Sequence, residues 1–155
     1  MRLAWLLLLF VPAIAAGDSD EVEPGYELRV SPESVDVQVG SEGAVSLTIV
    51  PKPEYSIDRD GPMRIRVQVV PAQGLDLPQT LFRREDAADA QAQSPRFDVR
   101  YKAAVAGDYA VAIDAQFWIC RRYTCRAVRE KSSVAVRVRA PAPPPADDAG
   151  PPAPQ

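Results

Sequence analysis

Apolar and polar residues alternate with a period of two through most of the central part of the chain. Successive side chains of a β-strand point to opposite faces, so this period gives a strand one apolar face and one polar face. The apolar positions of the seven alternating segments begin at Tyr26, Val35, Val45, Met63, Phe97, Tyr109 and Val134. Strands of this half-buried kind are typical of antiparallel sheets, which expose one face to water. The alternation therefore predicts an all-β protein.

Turn-forming residues separate these segments. The turn signals lie at residues 39–43, 61–62, 71–74 and 106–108. Pro51 and Pro53 exclude a central strand at their position. The polar, Ala-rich stretch 84–94 predicts a loop with a turn of helix. Short strands at this spacing favour an immunoglobulin-like antiparallel β-sandwich of about seven to nine strands, and we place this domain at residues 26–140.

Both ends of the chain differ from this central region. Residues 1–16 combine Arg2, an apolar run and a series of small residues, which predicts a cleaved signal peptide. Residues 17–25 are predicted to be a flexible segment, and the Pro- and Ala-rich residues 141–155 a disordered tail. The apolar run is shorter than the roughly 20 residues that a membrane-spanning helix needs. We therefore expect a periplasmic or secreted protein with no transmembrane segment in the mature chain.

The charges are divided unevenly along the sequence. Residues 18–60 contain eleven acids and three bases, whereas residues 61–140 contain eight acids and fourteen bases. Such a division can steer a charged partner. Interleaved strands would instead bring the two halves together and let the charges offset each other, and we favour this second interpretation. An exported chain with a net charge of −3 has little reason to bind nucleic acid, so no nucleic-acid partner is expected.

The residue types exclude several kinds of chemistry. The chain has no histidine, so a nucleophile activated by histidine is excluded, and zinc and copper sites lose their commonest ligand. The two cysteines with a carboxylate remain a minor alternative for a metal site, but we expect no metal and no cofactor. We interpret the acids Asp58, Asp60, Glu85 and Asp86 as solvated loop residues. Neither hydrolase nor metalloenzyme activity is expected.

Cys120 and Cys125 are the only cysteines. In an oxidising compartment they are expected to form a disulfide. Residues directly opposite each other in an antiparallel pair have Cα atoms about 4.5–5.5 Å apart, which a disulfide tolerates. With the cysteines opposed, the facing apolar pairs are Phe117 with Val128, Val111 with Val134 and Tyr109 with Val136. Because apolar residues meet along the whole ladder, the sequence supports this register.

The same register places Cys120 on the polar face of its strand. We therefore predict a disulfide near the hairpin tip, away from the core and at least partly exposed. Arg121, Arg122 and Arg126 surround the pair, and positive neighbours favour a reactive thiolate over a thiol. A ring of about six residues contributes only about 2 kcal/mol through loop entropy. The bond is therefore predicted to be either a local pin or a redox group.

The cysteine hairpin resembles a known family. Gly107-Asp108-Tyr109 opens a long strand that ends at Phe117-Trp118-Ile119-Cys120, and Thr124-Cys125-Arg126 follows in the same hairpin. This arrangement is similar to the N-terminal periplasmic domain of the thiol:disulfide interchange protein DsbD. The resemblance implies an immunoglobulin-like fold and a redox-active pair at Cys120 and Cys125 that passes electrons to other periplasmic thiol proteins.

The chain departs from that family in two respects. Its cysteine spacing is one residue shorter than in the best-known members. The membrane electron-conducting region and the terminal thioredoxin domain are missing from the sequence, so the resemblance implies a relay or acceptor whose reductant is another protein. Candidate partners are a periplasmic thioredoxin-like protein or a membrane thiol carrier.

Two hypotheses from different classes follow. In the first, the chain is an exported thiol–disulfide exchange module with Cys120 and Cys125 as its catalytic residues, a relay of the oxidoreductase type. In the second, it is a non-catalytic secreted β-sandwich that binds a partner or has a structural role, and its disulfide only pins a hairpin. We adopt the first as the working hypothesis because it makes more specific predictions. The sequence leaves open which sulfur is attacked.

Overall fold

The alternating segments fold into strands that pack as two sheets. The structure, a computed structural model, describes residues 24–141. Its strands are β1 (Tyr26–Ser31), β2 (Ser34–Gln38), β3 (Glu42–Pro51), β4 (Tyr55–Ile57), β5 (Arg64–Val70), β6 (Leu75–Asp76), β7 (Leu81–Phe82), β8 (Arg96–Ala103), β9 (Gly107–Arg121) and β10 (Thr124–Arg139). A single 3₁₀ turn at Arg84–Asp86 lies in the stretch predicted to be a loop with a turn of helix. Among these residues, no helix has the length and apolarity needed to cross a membrane.

The predicted signal peptide at residues 1–16 lies outside the described residues. The same is true of most of the segment predicted to be flexible, residues 17–25, and of all but the first residue of the predicted tail, 141–155.

The two sheets form the predicted β-sandwich. One sheet has the strand order β1-β3-β8-β6, and the other has the order β2-β10-β9-β5-β7, with β4 beside β9. Taken in chain order, β1, β3, β6 and β8 correspond to strands A, B, D and E of an immunoglobulin domain, and β5, β9 and β10 to strands C, F and G. The all-β class and the immunoglobulin-like architecture are therefore confirmed.

The sheets depart from a purely antiparallel arrangement at one pair of strands. β2 runs parallel to β10, with Val35 opposite Val136 and Val37 opposite Val138. Only Pro32 and Glu33 separate β2 from β1, which belongs to the other sheet. Because proline has no backbone N–H to donate, pairing with the first sheet ends there and the chain continues into the second sheet.

The described residues contain ten strands, against the seven to nine expected. The additional ones, β4, β6 and β7, have only two or three residues each. The prediction for the proline segment is consistent with the structure: Pro51 ends β3 and pairs with Tyr26 of β1, whereas the pairing of β3 with β8 extends only to Thr48. At Pro51 the strand thus has a neighbour on one side alone.

The apolar faces of the strands meet between the sheets. The largest fully buried side chains are Phe97, Phe117, Leu47, Ile49, Ile57, Ile65, Ile113 and Ile119. Among the described residues, no polar or charged residue is buried. The valines of β2 are only half-buried because this strand lies at the edge of its sheet.

The acidic and basic halves of the sequence do not alternate strand by strand, in contrast to our expectation: β1 and β3 lie side by side, followed by β8 and β6. Among the described residues, the two halves do meet in two ion pairs. Asp36 of β2 forms an ion pair with Arg139 of β10, and the Arg121 guanidinium lies 2.6 Å from the Glu54 carboxylate. Each pair joins an acid of the first half to a base of the second. The charges of the two halves therefore offset each other at these two contacts, whereas pairs such as Arg129 with Asp114 and Arg137 with Asp108 join charges of the same half.

Candidate functional site

The two cysteines lie at the end of the longest hairpin. β9 and β10 pair from Gly107 opposite Val138 to Arg121 opposite Thr124, and Cys120 faces Cys125. The predicted register is confirmed, since Phe117 faces Val128, Val111 faces Val134 and Tyr109 faces Val136. These fifteen consecutive residue pairs hold the cysteines opposite each other.

The hairpin closes through the two residues Arg122 and Tyr123. Arg122 has a φ of +55°, because the tight turns that suit the twist of a hairpin need positive φ at their first central position. This backbone conformation costs an L-residue roughly 1–2 kcal/mol. An arginine is therefore held there by the pairing of the strands, with its side chain exposed at the apex.

The cysteines form the expected disulfide, with their Cα atoms 4.0 Å apart. Cys120 is half-buried and Cys125 is exposed. Both lie on the outer face of the sheet, away from the core, as the alternation of β9 predicts. Cys125 is thus the more exposed residue of the pair.

The structure adds Asp58 to this site. β4 pairs with the end of β9, with Ser56 opposite Cys120, and the next residues bring the half-buried Asp58 over the disulfide. Its backbone N–H donates a 3.0 Å hydrogen bond to the carbonyl oxygen of Trp118. An oxygen of its carboxylate and the two Sγ atoms all lie within 4.8 Å of one another. Asp58 is therefore half-buried beside the disulfide and is not a solvated loop residue, as we had interpreted it. The sequence did not reveal this position because β4, which leads to Asp58, is too short to produce a recognisable alternation.

Gly61 allows the Asp58 carboxylate to lie close to the chain. A Cβ atom at Gly61 would lie 2.7 Å from Asp58 Oδ2 and 3.2 Å from the Cβ atom of Trp118. The backbone N–H of Asp60 also donates a 3.1 Å hydrogen bond to Asp58 Oδ1. The loop 58–61 therefore positions the carboxylate by close packing and by a local hydrogen bond.

One of the charged side chains at the hairpin tip has an ion-pair partner. The Arg121 guanidinium donates a hydrogen bond to the Glu54 carboxylate in an ion pair, and it lies 5.5 Å from the centre of the Tyr55 ring. The hydrogen bond with Glu54 raises the pKa of Arg121 above its usual value. Arg122 and Arg126 are exposed near the apex. The predicted arginines are present at the hairpin tip, but Arg121 and Arg126 line a depression with Tyr55 and Ile119 rather than the disulfide. Glu54, in the loop before β4, offsets the charge of Arg121.

A second surface lies on the other side of Trp118. This depression is lined by Arg59, Arg64, Arg83, Arg84 and Arg129, with Asp60 and Glu85 as its acids. The Nη1 atom of Arg84 is buried there without a hydrogen-bond partner. Trp118, with 36% of its surface exposed, borders both this depression and the loop over the disulfide.

Comparison with known proteins yields weak structural similarity. No family model matches the chain, and no curated protein matches it. A chain from a structure described as the basis of T cell specificity and activation by the bacterial superantigen toxic shock syndrome toxin-1 is 11% identical, with a TM-score of 0.37, and the match covers 74% of this chain and 100% of that one. The CooA pilin subunit from enterotoxigenic Escherichia coli is 13% identical, with a TM-score of 0.30, and the match covers 75% of this chain and 99% of the pilin. Neither similarity carries an argument about function.

The arrangement at the hairpin defines what the site can do chemically. A disulfide with one exposed cysteine can accept an incoming thiolate. Cys120 and Cys125, predicted as the site residues, lie together at this position, and Asp58 lies beside them.

Proposed function

We propose that this protein exchanges disulfides with a thiol-containing protein partner through Cys120 and Cys125. The observation that carries the proposal is the position of the bond, at the exposed end of a hairpin whose register fifteen residue pairs already hold. A ring of this size contributes about 2 kcal/mol. As a covalent link between the strands, the disulfide therefore adds little to the stability of the fold. Disulfide exchange, in contrast, requires an accessible bond.

The greater exposure of the residue Cys125 suggests an order for the steps. A partner thiolate attacks Sγ of the exposed Cys125, the bond between the cysteines breaks, and its electron pair passes to Sγ of Cys120. A second partner thiolate then attacks the partner's own sulfur in the mixed disulfide and releases Cys125 as a thiolate. The partner becomes a disulfide, and this chain gains the two electrons.

The resemblance to the N-terminal domain of DsbD supports the same role. It suggests a periplasmic thioredoxin-like protein or a membrane thiol carrier as the partner, and the predicted signal peptide suggests that the exchange takes place in the periplasm or outside the cell. The arginine-lined depression beside Trp118 favours a partner with an acidic surface.

The reduction potential of the pair tests the proposal. We expect equilibration with glutathione to give a value well above about −300 mV, below which structural disulfides of secreted proteins lie. The fraction of reduced protein is measured from the mass added by a thiol-alkylating reagent. A potential below that limit contradicts exchange and favours the alternative, a non-catalytic binding or structural β-sandwich whose disulfide pins a hairpin.

Two single variants test the order of attack. Cys120→Ser leaves the exposed Cys125 as a free thiol, and Cys125→Ser leaves the half-buried Cys120. We expect the first variant to form a mixed disulfide with oxidised glutathione faster than the second, because the attacking sulfur has freer access. Equal rates, or the reverse order, contradict the assignment of Cys125 as the attacked sulfur.

A further inference from the structure

We infer that the reduced cysteines and Asp58 together form a binding site for a thiophilic divalent metal ion of the zinc type. The inference goes beyond disulfide exchange, although it rests on the same bond being reducible. The sequence leaves the two cysteines with a carboxylate as a minor alternative and does not identify that carboxylate, since the three ligands come from β9, β10 and the loop after β4. The structure brings them together.

The spacing of the ligand atoms suits a tetrahedral ion. The two Sγ atoms and a carboxylate oxygen lie within 4.8 Å of one another. Zinc binds thiolate sulfur at about 2.3 Å and carboxylate oxygen at about 2.0–2.2 Å, so tetrahedral ligands lie roughly 3.5–3.8 Å apart. Once reduction has broken the S–S bond, rotation of the side chains suffices to reach this spacing.

The backbone around the ligands is held without a metal. The ladder of β9 and β10 holds the cysteines opposite each other, and the bond from the Asp58 N–H to Trp118 anchors the loop to β9. The absence of a side chain at Gly61 keeps the Asp58 carboxylate beside the sulfurs. Ligands held in place in this way lose little conformational freedom when the ion binds.

The charges are compatible with a bound cation. Two thiolates and one carboxylate carry a charge of −3, which a divalent ion reduces to −1. The nearby Arg121 is already paired with Glu54. Three protein ligands leave a fourth position for water or for a group from a partner.

The site exists in one redox state alone. A dithiol reductant, such as a thioredoxin-like protein, transfers two electrons to the disulfide and becomes a disulfide itself. Metal binding then displaces the protons that remain on the two thiols. Oxidation of the pair removes two electrons and both thiolate ligands, so the ion is released.

Cobalt(II) is a direct probe of this site. The full chain is reduced with a phosphine, two free thiols per chain are verified by alkylation and mass spectrometry, and Co²⁺ is added. We expect one Co²⁺ per chain, with thiolate-to-cobalt charge-transfer absorption and the visible bands of tetrahedral cobalt, and we expect Zn²⁺ to abolish both. The oxidised protein and the Cys120→Ser/Cys125→Ser variant should show neither.

The role of Asp58 is tested with a matched pair of variants. Asp58→Asn removes the anionic ligand at almost unchanged side-chain size, and it should weaken Co²⁺ binding at least about tenfold. Loss of a residue that only hydrogen-bonds a metal ligand already lowers metal affinity by about this factor. Asp60→Asn, two residues away in the same exposed loop, should leave the affinity unchanged. Equal affinities for the two variants contradict the site as assigned.

The outcomes separate this inference from the proposed function. Two free thiols without cobalt binding contradict the metal site and leave disulfide exchange unaffected. A disulfide that the phosphine does not reduce contradicts both. Cobalt binding together with a reduction potential below about −300 mV supports the metal site and contradicts exchange.

Discussion

Tyr26 shows how a single residue combines a core position with a polar contact. Its side chain is 7% exposed, and its ring meets Phe117 edge to face with the ring centres 5.0 Å apart. The hydroxyl donates a 2.6 Å hydrogen bond to the carboxylate of Glu130. Burial, together with this bond, raises the pKa of Tyr26 to about 12. The neutral phenol is therefore the form that the folded state favours.

This shift predicts how stability depends on pH. The folded pKa is above the unfolded value, so the contribution of Tyr26 is complete below pH 10 and is lost as the pH rises through about 12. We expect Tyr26→Phe to be less stable than the native chain by about 1–2 kcal/mol at neutral pH, through loss of the hydrogen bond. This difference should shrink between pH 10 and 12, measured as the free energy of urea unfolding.

Tyr123 provides the control for that measurement, because its side chain is fully exposed. Tyr123→Phe should follow the native chain at every pH. A constant difference between Tyr26→Phe and the native chain from pH 9 to 12 would show that the titration of Tyr26 is not coupled to folding.

At the level of elements, the hairpin of β9 and β10 allows the contribution of the disulfide to stability to be measured apart from that of the core. We expect the Cys120→Ser/Cys125→Ser variant to lose about 2 kcal/mol of unfolding free energy and to retain the β-sheet circular dichroism of the native chain. The loss is small because the strand pairing and the buried side chains are intact. Phe117→Ala, in the same hairpin but fully buried, should lose about 3–5 kcal/mol. If the double serine variant does not fold, the disulfide is a stability element, and the exchange proposal weakens.

The same elements show how far the sequence leads to the structure. In β9 and β10 the alternation continues over many residues, and opposed cysteines select one register, so both strands and their pairing could be predicted. β4 has three residues, too few for a period of two to be recognised. The contact that it makes with Cys120, and with it the position of Asp58, depends on the tertiary fold. The parallel pairing of β2 likewise follows from a change of sheet at Pro32. The alternation of Val35 and Val37 predicts a strand there but does not indicate which sheet the strand joins.

In the whole molecule, the two sheets are joined by their apolar faces. Phe97 of β8 is fully buried, and its ring lies edge to face against Phe82 of β7 in the other sheet, with the ring centres 6.3 Å apart. Ion pairs between the acidic and basic halves are exposed, and such pairs contribute about 0–1 kcal/mol each. The contact between the sheets therefore dominates the stability of the sandwich.

Truncation of Phe97 tests this conclusion. We expect Phe97→Ala to lose about 3–5 kcal/mol, a large part of the roughly 5–15 kcal/mol that stabilises an average domain, because a cavity opens between the sheets. Trp118→Ala removes a larger ring from the outer face, where 36% of the residue is exposed, and should cost about 1 kcal/mol or less. Chemical unfolding followed by far-ultraviolet circular dichroism measures both losses. Equal losses would mean that the outer face around the disulfide contributes as much to the stability of the fold as the core between the sheets.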